Sequence, residues 1–404
     1  MKIAIDIRHL TAKHPSGVGR YTIELIHALA KTSKEDVFYL FASGSARSLD
    51  QLPDFPYKNV HIFRKHIPNK ILSLILKANI RPLESFLDDK PDVWLFPNVN
   101  SIYTHLPYAL TVHDISPFLY PEFFTRKDHA WNRFICFKRC VQNASHLITV
   151  SQTTKQDLIE EFRIDSDTIS TTPLGVTNVY TKKIEPSDRS FLQSHTISFP
   201  YFLTLSTKEP RKNIESIIEA YSTWRKKHAN PRGWHQDSTC ANQTNTTQES
   251  SKHPRQPRGL ARIPHLVIAG GEGWKSESVQ RLAAESSFKQ DIHFLGYVPE
   301  KHKPALYRNA EAFFFPSFYE GFGLPPKEAA ACGTPVVTSF SSSLPEVMQQ
   351  TAVYVDPYNV TDIVQAIEVV NSKSIKLPSL ASEPSETWRE TAKKTLKILY
   401  LIRG

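Results

Sequence analysis

Seven residues separate Glu320 from Glu328 in the segment Phe314–Phe340, which reads FFPSFYEGFGLPPKEAAACGTPVVTSF. An apolar strand ends near Ser317, and a glycine-containing turn follows over Glu320–Leu324. The pattern predicts a helix from Pro325 or Pro326, since proline suits a first helical turn, ending at Gly333 before a new strand at Thr334. A glycine turn entering a helix leaves backbone N–H groups pointing outward under the positive end of the helix dipole, which suits an anion. An acid before such a turn can reach a sugar hydroxyl. An acid inside the helix can reach a ribose diol beyond the phosphates. Spacing alone also allows Glu328, in the first helical turn, merely to complement the dipole for about 0.3–1 kcal/mol, with Glu320 simply solvated.

Pro210-Arg211-Lys212-Asn213 adds two adjacent cations at a strand end where a helix opens. Arginine supplies a fork and lysine a point charge, so the pair suits a diphosphate. A solvated helix start is the other reading, although basic residues there oppose the dipole. Ser16-Gly17-Val18-Gly19-Arg20-Tyr21 follows the first strand. It fails as a dinucleotide fingerprint, because Thr22 stands where the last glycine belongs. Glycines there allow close backbone approach to a ligand, and Arg20 could equally be an ordinary surface residue. Thr111-Val112-His113-Asp114 closes another apolar strand, so His113 is either a satisfied structural residue or a cleft residue. Asp165-Ser166-Asp167 has a spacing that can hold a divalent ion, but it sits in a polar turn far from the other motifs and is assigned to turn chemistry. No metal or other cofactor is expected.

Parallel sheets are predicted to position these groups. Short apolar runs alternate with helical patterns: Lys2–Arg8, Phe38–Ser43, Val60–Arg64, Val93–Pro97, Tyr108–Ile115 and His146–Ser151, then Tyr201–Thr207, His265–Gly271, Ile292–Val298, Ala312–Ser317, Thr334–Phe340 and Ala352–Pro357. Between them, Tyr21, Leu25, Ile26 and Leu29 share one helix face, as do Ile214, Ile217, Ile218 and Tyr221. Alternating strand and helix implies an α/β chain with sheets covered on both faces. Both halves begin strand, loop, amphipathic helix. We therefore expect two Rossmann-like domains facing a central cleft, over residues 1–185 and 195–375, joined through a polar stretch, with residues 385–404 crossing back onto the first. Ligands of such sheets bind at the carboxyl ends of strands. Residues 228–262, rich in Asn, Gln, Thr and Ser, have too little apolar surface to repay ordering and are expected to be a disordered insertion.

The segment EGFGLPPKEAAACGTPVV closely resembles the Glu-x7-Glu motif of family-4 retaining glycosyltransferases of GT-B fold. FLGYVPEKHKPALYRNAEAFFFPS before it and SFSSSLPEV after it match as well. The resemblance runs from Lys2 to about Ala366, apart from the insertion. It implies that Glu320 lies by the donor hexose, that Glu328 holds the ribose, and that the amides of Gly323 and Leu324 face hexose and diphosphate. Arg211 and Lys212 resemble the family's donor-phosphate loop. Where relatives often carry a further basic or glycine residue slightly earlier, this chain has Leu205-Ser206-Thr207-Lys208. Gly17 and Gly19 resemble the family's cleft-facing GxGR loop. TVHDISPFLYPEFF, residues 111–124, resembles a subgroup that includes O-antigen mannosyltransferases, which implies His113 near the anomeric carbon. The implied activity is transfer of a hexose, by subgroup mannose from GDP-mannose, to a glycan or polyprenyl-linked glycan in surface polysaccharide assembly. Relatives usually carry a longer helical tail than Ser372–Pro384 before the closing segment that begins at Glu386.

The charge of +9 favours anionic partners without choosing among nucleotides, nucleic acid and membrane. Its cations are spread along the chain rather than gathered with aromatics on one face, which argues against nucleic acid. Two rival readings remain: another sugar-phosphate enzyme of the same fold, such as a phosphorylase or epimerase, and a basic non-enzymatic nucleic-acid-binding or scaffold protein. Cys136, Cys140, Cys240 and Cys332 form no CxxC pair and are expected to be inert thiols. No leader or run of about 18 apolar residues is present, so a reducing cytoplasmic location is expected and the sequons at Asn143, Asn242 and Asn245 carry no weight. Tyr57–Leu83 holds Lys58, Arg64, Lys65, Lys70, Lys77 and Arg81 with no acid, beside an apolar stretch. It is expected either to rest on an anionic membrane through Leu72, Ile75 or Leu76, or to pack inside with its cations solvated.

Overall fold

The computed structural model describes residues 1–12, 17–228, 263–374, 378 and 387–404. The insertion at 228–262 therefore lies almost wholly outside the described residues, as do Ser16, Cys240 and most of the stretch before Trp388. The fold has two parallel sheets. The first runs β3-β2-β1-β4-β5-β6-β7, from β1 (Lys2–Asp6), β2 (Val37–Ser43), β3 (Val60–Lys65), β4 (Val93–Phe96), β5 (Tyr108–Val112), β6 (His146–Thr149) and β7 (Ile169–Thr171). The second runs β10-β9-β8-β11-β12-β13, from β8 (Tyr201–Leu205), β9 (His265–Ala269), β10 (Ile292–Gly296), β11 (Ala312–Phe315), β12 (Val336–Ser339) and β13 (Ala352–Val355). Every run anticipated as a strand is one. The additional strand, β7, is short, polar in two of its three residues, and paired on one side only.

The helices that matter here are α1 (Gly17–Thr32), α2 (Asn69–Lys77), α3 (Arg126–Phe134), α4 (Gln152–Phe162), α5 (Ile214–His228), α6 (Leu324–Ala331) and α7 (Trp388–Arg403). Helices cover both faces of each sheet. The anticipated faces of α1 and α5 are buried: Tyr21, Leu25, Ile26 and Leu29 in one core, Ile214, Ile217, Ile218 and Tyr221 in another. Strand order reverses between β1 and β4 in the first sheet and between β8 and β11 in the second. At such switch points the loops leaving the strand ends diverge and open a crevice for ligands.

The last helix, α7, does not join the second sheet. Trp388, Ala392, Leu396 and Leu399 pack into the first domain's core beside α1. Gly175 makes that return possible, since a Cβ there would stand 2.2 Å from the Trp388 backbone N.

In α2, Leu72 and Leu76 are buried in the core packed on one face of β1, β2 and β4, and Ile75 is half-buried. The expectation that Leu72 or Leu76 reaches lipid is corrected on this point. The face turned outward carries Ile71, Leu74 and, just beyond the helix, Ile80. Among the described residues, no helix is long and apolar enough to cross a membrane.

Candidate active site

Both loops flanking the second switch point carry charge. After β8 the chain forms a 3-10 turn over Pro210–Lys212, and Asn213 in the left-handed region (φ 56°) redirects it into α5. Arg211 and Lys212 thus precede the helix instead of opening it. After β11 the chain passes Pro316–Glu320 and enters α6 through Gly323, whose φ of +89° is the left-handed region glycine tolerates. That turn starts the helix at Leu324, earlier than the prolines suggested. Glu328 is therefore the fifth helical residue and not in the first turn.

Glu320 is not solvated but about 6% exposed. One carboxylate oxygen accepts from Lys212 Nζ at 2.6 Å, the other from Arg211 Nη1 at 3.2 Å. Burial pushes this carboxyl up, but the Lys212 and Arg211 charges outweigh it and hold it below the ordinary glutamate value. Arg211 also pairs with Glu209 at 2.8 Å and approaches Asp114 at 3.9 Å, so it is no solvated helix start. Its Nε is buried with no hydrogen-bond partner, which leaves donor capacity for an anion. Lys208, the nearby basic residue, is buried and paired with Glu272. The backbone of Glu320 is fixed separately: its N–H donates to Ser342 Oγ and its carbonyl accepts from Ser343 Oγ, each at 2.8 Å.

The first domain brings its own strand ends to the same cleft. His113, after β5, is half-buried with Tyr21 edge-on at 4.7 Å. Its Nε2 lies 2.8 Å from the Pro97 carbonyl. A carbonyl only accepts, so Nε2 carries the proton and Nδ1 is left as an acceptor. Burial lowers the imidazole pKa, against the pull of that hydrogen bond, so His113 is neutral at neutral pH. Gly17 opens α1, with open space where a Cβ would stand, and Gly19, two residues on, is buried. Arg20 is not an ordinary surface residue: it crosses the cleft to pair with Glu328 and, at 2.9 Å, with Glu300.

Several further cross-cleft contacts had no sequence signal. A Cβ on Gly321 would stand 1.9 Å from the His113 carbonyl oxygen, so only glycine lets the two backbones meet. Tyr319 donates to Asp157 in α4. Glu346 accepts from the N–H groups of Gln152 and Thr153 at 2.8 and 3.2 Å, capping α4 from the other domain. Trp274 Nε1 and Lys275 Nζ donate to the carbonyls of Phe123 and Glu122 at 2.7 Å each. Elsewhere, Asp165 accepts from the Asp167 N–H at 3.0 Å in a 3-10 turn, as turn chemistry requires. Cys140 and Cys332 are buried and Cys136 is half-buried, all as free thiols. Among the described residues, no group of three or more His, Cys, Asp or Glu is placed to hold a metal ion.

Glu320, Arg211, Lys212 and the α6 N-terminus therefore meet at one crevice with Glu328 further along α6, and the first domain faces them with Asp114 beside His113, approaching Arg211, and with Arg20, paired with Glu328. Known proteins resemble the chain in sequence and in fold. The family described as Glycosyltransferase Family 4 matches residues 15–178, and Glycosyl transferases group 1 matches residues 259–395. O-antigen chain mannosyltransferase B of Escherichia coli is 29% identical over 94% of this chain and 90% of its own length. O-antigen chain mannosyltransferase RfbU of Salmonella typhimurium is 30% identical over 62% of this chain, which spans 56% of RfbU. Among solved structures, Anabaena HepE in complex with UDP and glucose superposes with a TM-score of 0.65 over 99% of both chains at 17% identity. WaaG, a glycosyltransferase involved in lipopolysaccharide biosynthesis, gives 0.60 over 100% of this chain and 97% of its own at 13% identity. Both share the fold. With each half matching its family model and the whole chain taking the two-sheet GT-B arrangement, the chain belongs to the family-4 glycosyltransferases.

Proposed function

We propose that this glycosyltransferase moves mannose from GDP-mannose, with retention, onto a glycan carried on a polyprenyl diphosphate in surface polysaccharide assembly. The similarity to O-antigen chain mannosyltransferase B over 94% of the chain carries this reading. Arg211, Lys212 and the amides of Gly323 and Leu324 neutralise the departing diphosphate, as preorganised donors do in a water-poor site. Gly17 and Gly19 let the first domain's backbone approach the donor. Glu328 binds the ribose. Glu320 and His113 orient the hexose, with His113 Nδ1 accepting from a sugar hydroxyl. A diphosphate oxygen takes the acceptor proton. Arg211 and Lys212 do the work a divalent ion does elsewhere, so no metal or other cofactor takes part.

Radiolabelled GDP-mannose with a polyprenyl diphosphate-linked glycan tests this directly. Label should pass to the lipid fraction, with and without EDTA, and the new linkage should be α. Donor consumption without acceptor would favour the other sugar-phosphate enzymes. Activity that EDTA abolishes and manganese restores would overturn the metal-free mechanism.

The first domain rests on the anionic cytoplasmic leaflet through the outer face of α2. Ile71, Leu74 and Ile80 are 51%, 56% and 72% exposed, with Lys70, Lys77 and Arg81 beside them. Each cation near such a surface contributes about 1 kcal/mol. Lys77 lies over the Phe134 ring of α3, whose Trp131 is also exposed, so the apolar face continues onto a second helix. Vesicles containing anionic lipid should bind the enzyme and release it as salt rises. Replacing Ile71, Leu74 and Ile80 by serine should abolish binding without lowering Tm. A folded protein that ignores such vesicles at low salt would exclude the membrane contact and leave the donor site untouched.

A further inference from the structure

Glu328 is paired from the opposite domain, and this has a consequence for nucleotide binding. The carboxylate is about 2% exposed. One oxygen accepts from Arg20 Nη1 on α1, the other from the Tyr307 hydroxyl at 3.2 Å. Arg20 is held in turn by the Tyr180 hydroxyl at 3.0 Å, with its guanidinium over the Tyr180 ring, and by Glu300 at 2.9 Å. Thr177, which hydrogen-bonds Glu24 on α1 at 3.2 Å, lies 3.4 Å from Arg20 Nη2. Tyr180 and Thr177 belong to the connection between the sheets, so Arg20 is braced from three directions at the point where the domains join. A carboxylate has about four lone-pair positions. Arg20 and Tyr307 take one on each oxygen, which leaves one on each for a ligand.

We propose that Arg20 is a cross-cleft positioning residue that holds the Glu328 carboxylate aimed at the nucleoside's ribose hydroxyls, so that nucleotide affinity depends on the domain that does not carry the donor site. This rests on Glu328 being the ribose-binding acid.

The charges around Glu328 support it. Burial pushes its carboxyl up. Arg20 is the largest opposing influence, followed by Lys303, with Glu300 adding to the rise and Tyr307 reducing it, and the net position is above the ordinary glutamate value. Without Arg20 the strongest opposing charge is gone and Glu328 takes up a proton at higher pH. Protonation turns one carboxyl oxygen into a donor and removes the charge that strengthens the bonds from the ribose hydroxyls, so binding weakens at low pH and recovers as pH rises.

The test is calorimetric binding of GDP and of UDP between pH 6 and 9 to the wild-type chain, Arg20→Gln, Arg20→Lys and Glu328→Gln. Arg20→Gln should bind roughly tenfold more weakly at the acid end of that range, the size of one lost charge-assisted hydrogen bond, and recover towards wild type as pH rises. Arg20→Lys, which keeps the charge, should retain the wild-type pH profile. If Arg20→Gln does not fold, Arg20→Ala, with room for water beside Glu328, repeats the measurement. A loss of equal size at every pH would overturn the proposal by making Arg20 a direct nucleotide contact. Unchanged or tighter binding would overturn it by making the pair incidental or competitive. If Glu328→Gln binds as wild type at every pH, the ribose reading itself fails.

Discussion

Glu320→Gln should lower turnover by about 10²–10³-fold, the range for removing one preorganised electrostatic contact to a reacting centre, while leaving nucleotide diphosphate affinity within about threefold, under 1 kcal/mol. The split follows from what the side chain touches. Both carboxylate oxygens are held by Lys212 and Arg211, so on the proposed function Glu320 is presented by the groups that neutralise the diphosphate and is not itself a phosphate contact. The amide fills the same volume, but it lacks the charge that stabilises positive character developing on the sugar. Arg211 retains Glu209 and Asp114, and Lys212, whose carboxylate partner is Glu320, can still donate to the amide oxygen of the variant. The turn keeps its shape too, since Ser342 and Ser343 bind the backbone of residue 320 rather than its side chain.

The contrast with Glu328→Gln makes the expectation specific. That variant should lose nucleotide affinity first. Its effect on turnover at saturating donor should be smaller than that of Glu320→Gln, because uniform binding lost from the ribose raises KM more than it lowers kcat. Equal loss of nucleotide affinity in both variants would show that the two acids share one role. Turnover of Glu320→Gln near wild type would remove Glu320 from the chemistry.

What the sequence made legible was local. Strands covered on both faces leave continuous apolar runs, so β8, β9, β11 and β12 stand out, whereas β7, with Ser170 and Thr171 in three residues, does not. The candidate acids and cations could be read because Arg211, Lys212 and Glu320 lie in turns after strand ends and Glu328 follows one such turn into a helix. The amphipathic α2 was legible as a helix but not as to its inner face: Ile71, Leu72, Leu74, Ile75 and Leu76 are apolar on more than one side, and only the packed structure assigns Leu72 and Leu76 inward. The closure contacts left no trace at all. Arg20 and Glu328 are 308 residues apart, Gln152 and Glu346 are 194 apart, and Tyr319 and Asp157 are 162 apart. Such pairs have no periodicity, and either member alone looks like a solvated surface residue.

Gly321 shows how strictly those closure contacts bind the chemistry. Gly321→Ala should reduce turnover at least about 100-fold, the cost of misplacing reacting groups by about 1 Å. The added methyl carbon would stand 1.9 Å from the His113 carbonyl oxygen, 2.8 Å from its carbon and 3.0 Å from Asp114 Cβ. Two of these three atoms are backbone at the end of β5, which cannot swing aside as a long side chain would. The domains must then separate until a normal contact of about 3.5 Å is restored. His113 moves away from Glu320, its proposed partner in orienting the hexose, by a comparable distance. Each domain keeps its own core, so the thermal midpoint should fall little. Arg211, Lys212, the α6 N-terminus and Glu328 all lie on one domain, so nucleotide affinity should drop no further than in Arg20→Gln. The measurement is kcat and nucleotide Kd on the same preparation, with small-angle scattering to detect the wider cleft. A Gly321→Ala enzyme with wild-type kcat would show that the contact between Gly321 and His113 is not made in the turnover state, and that the two domains do their chemistry further apart than they stand here.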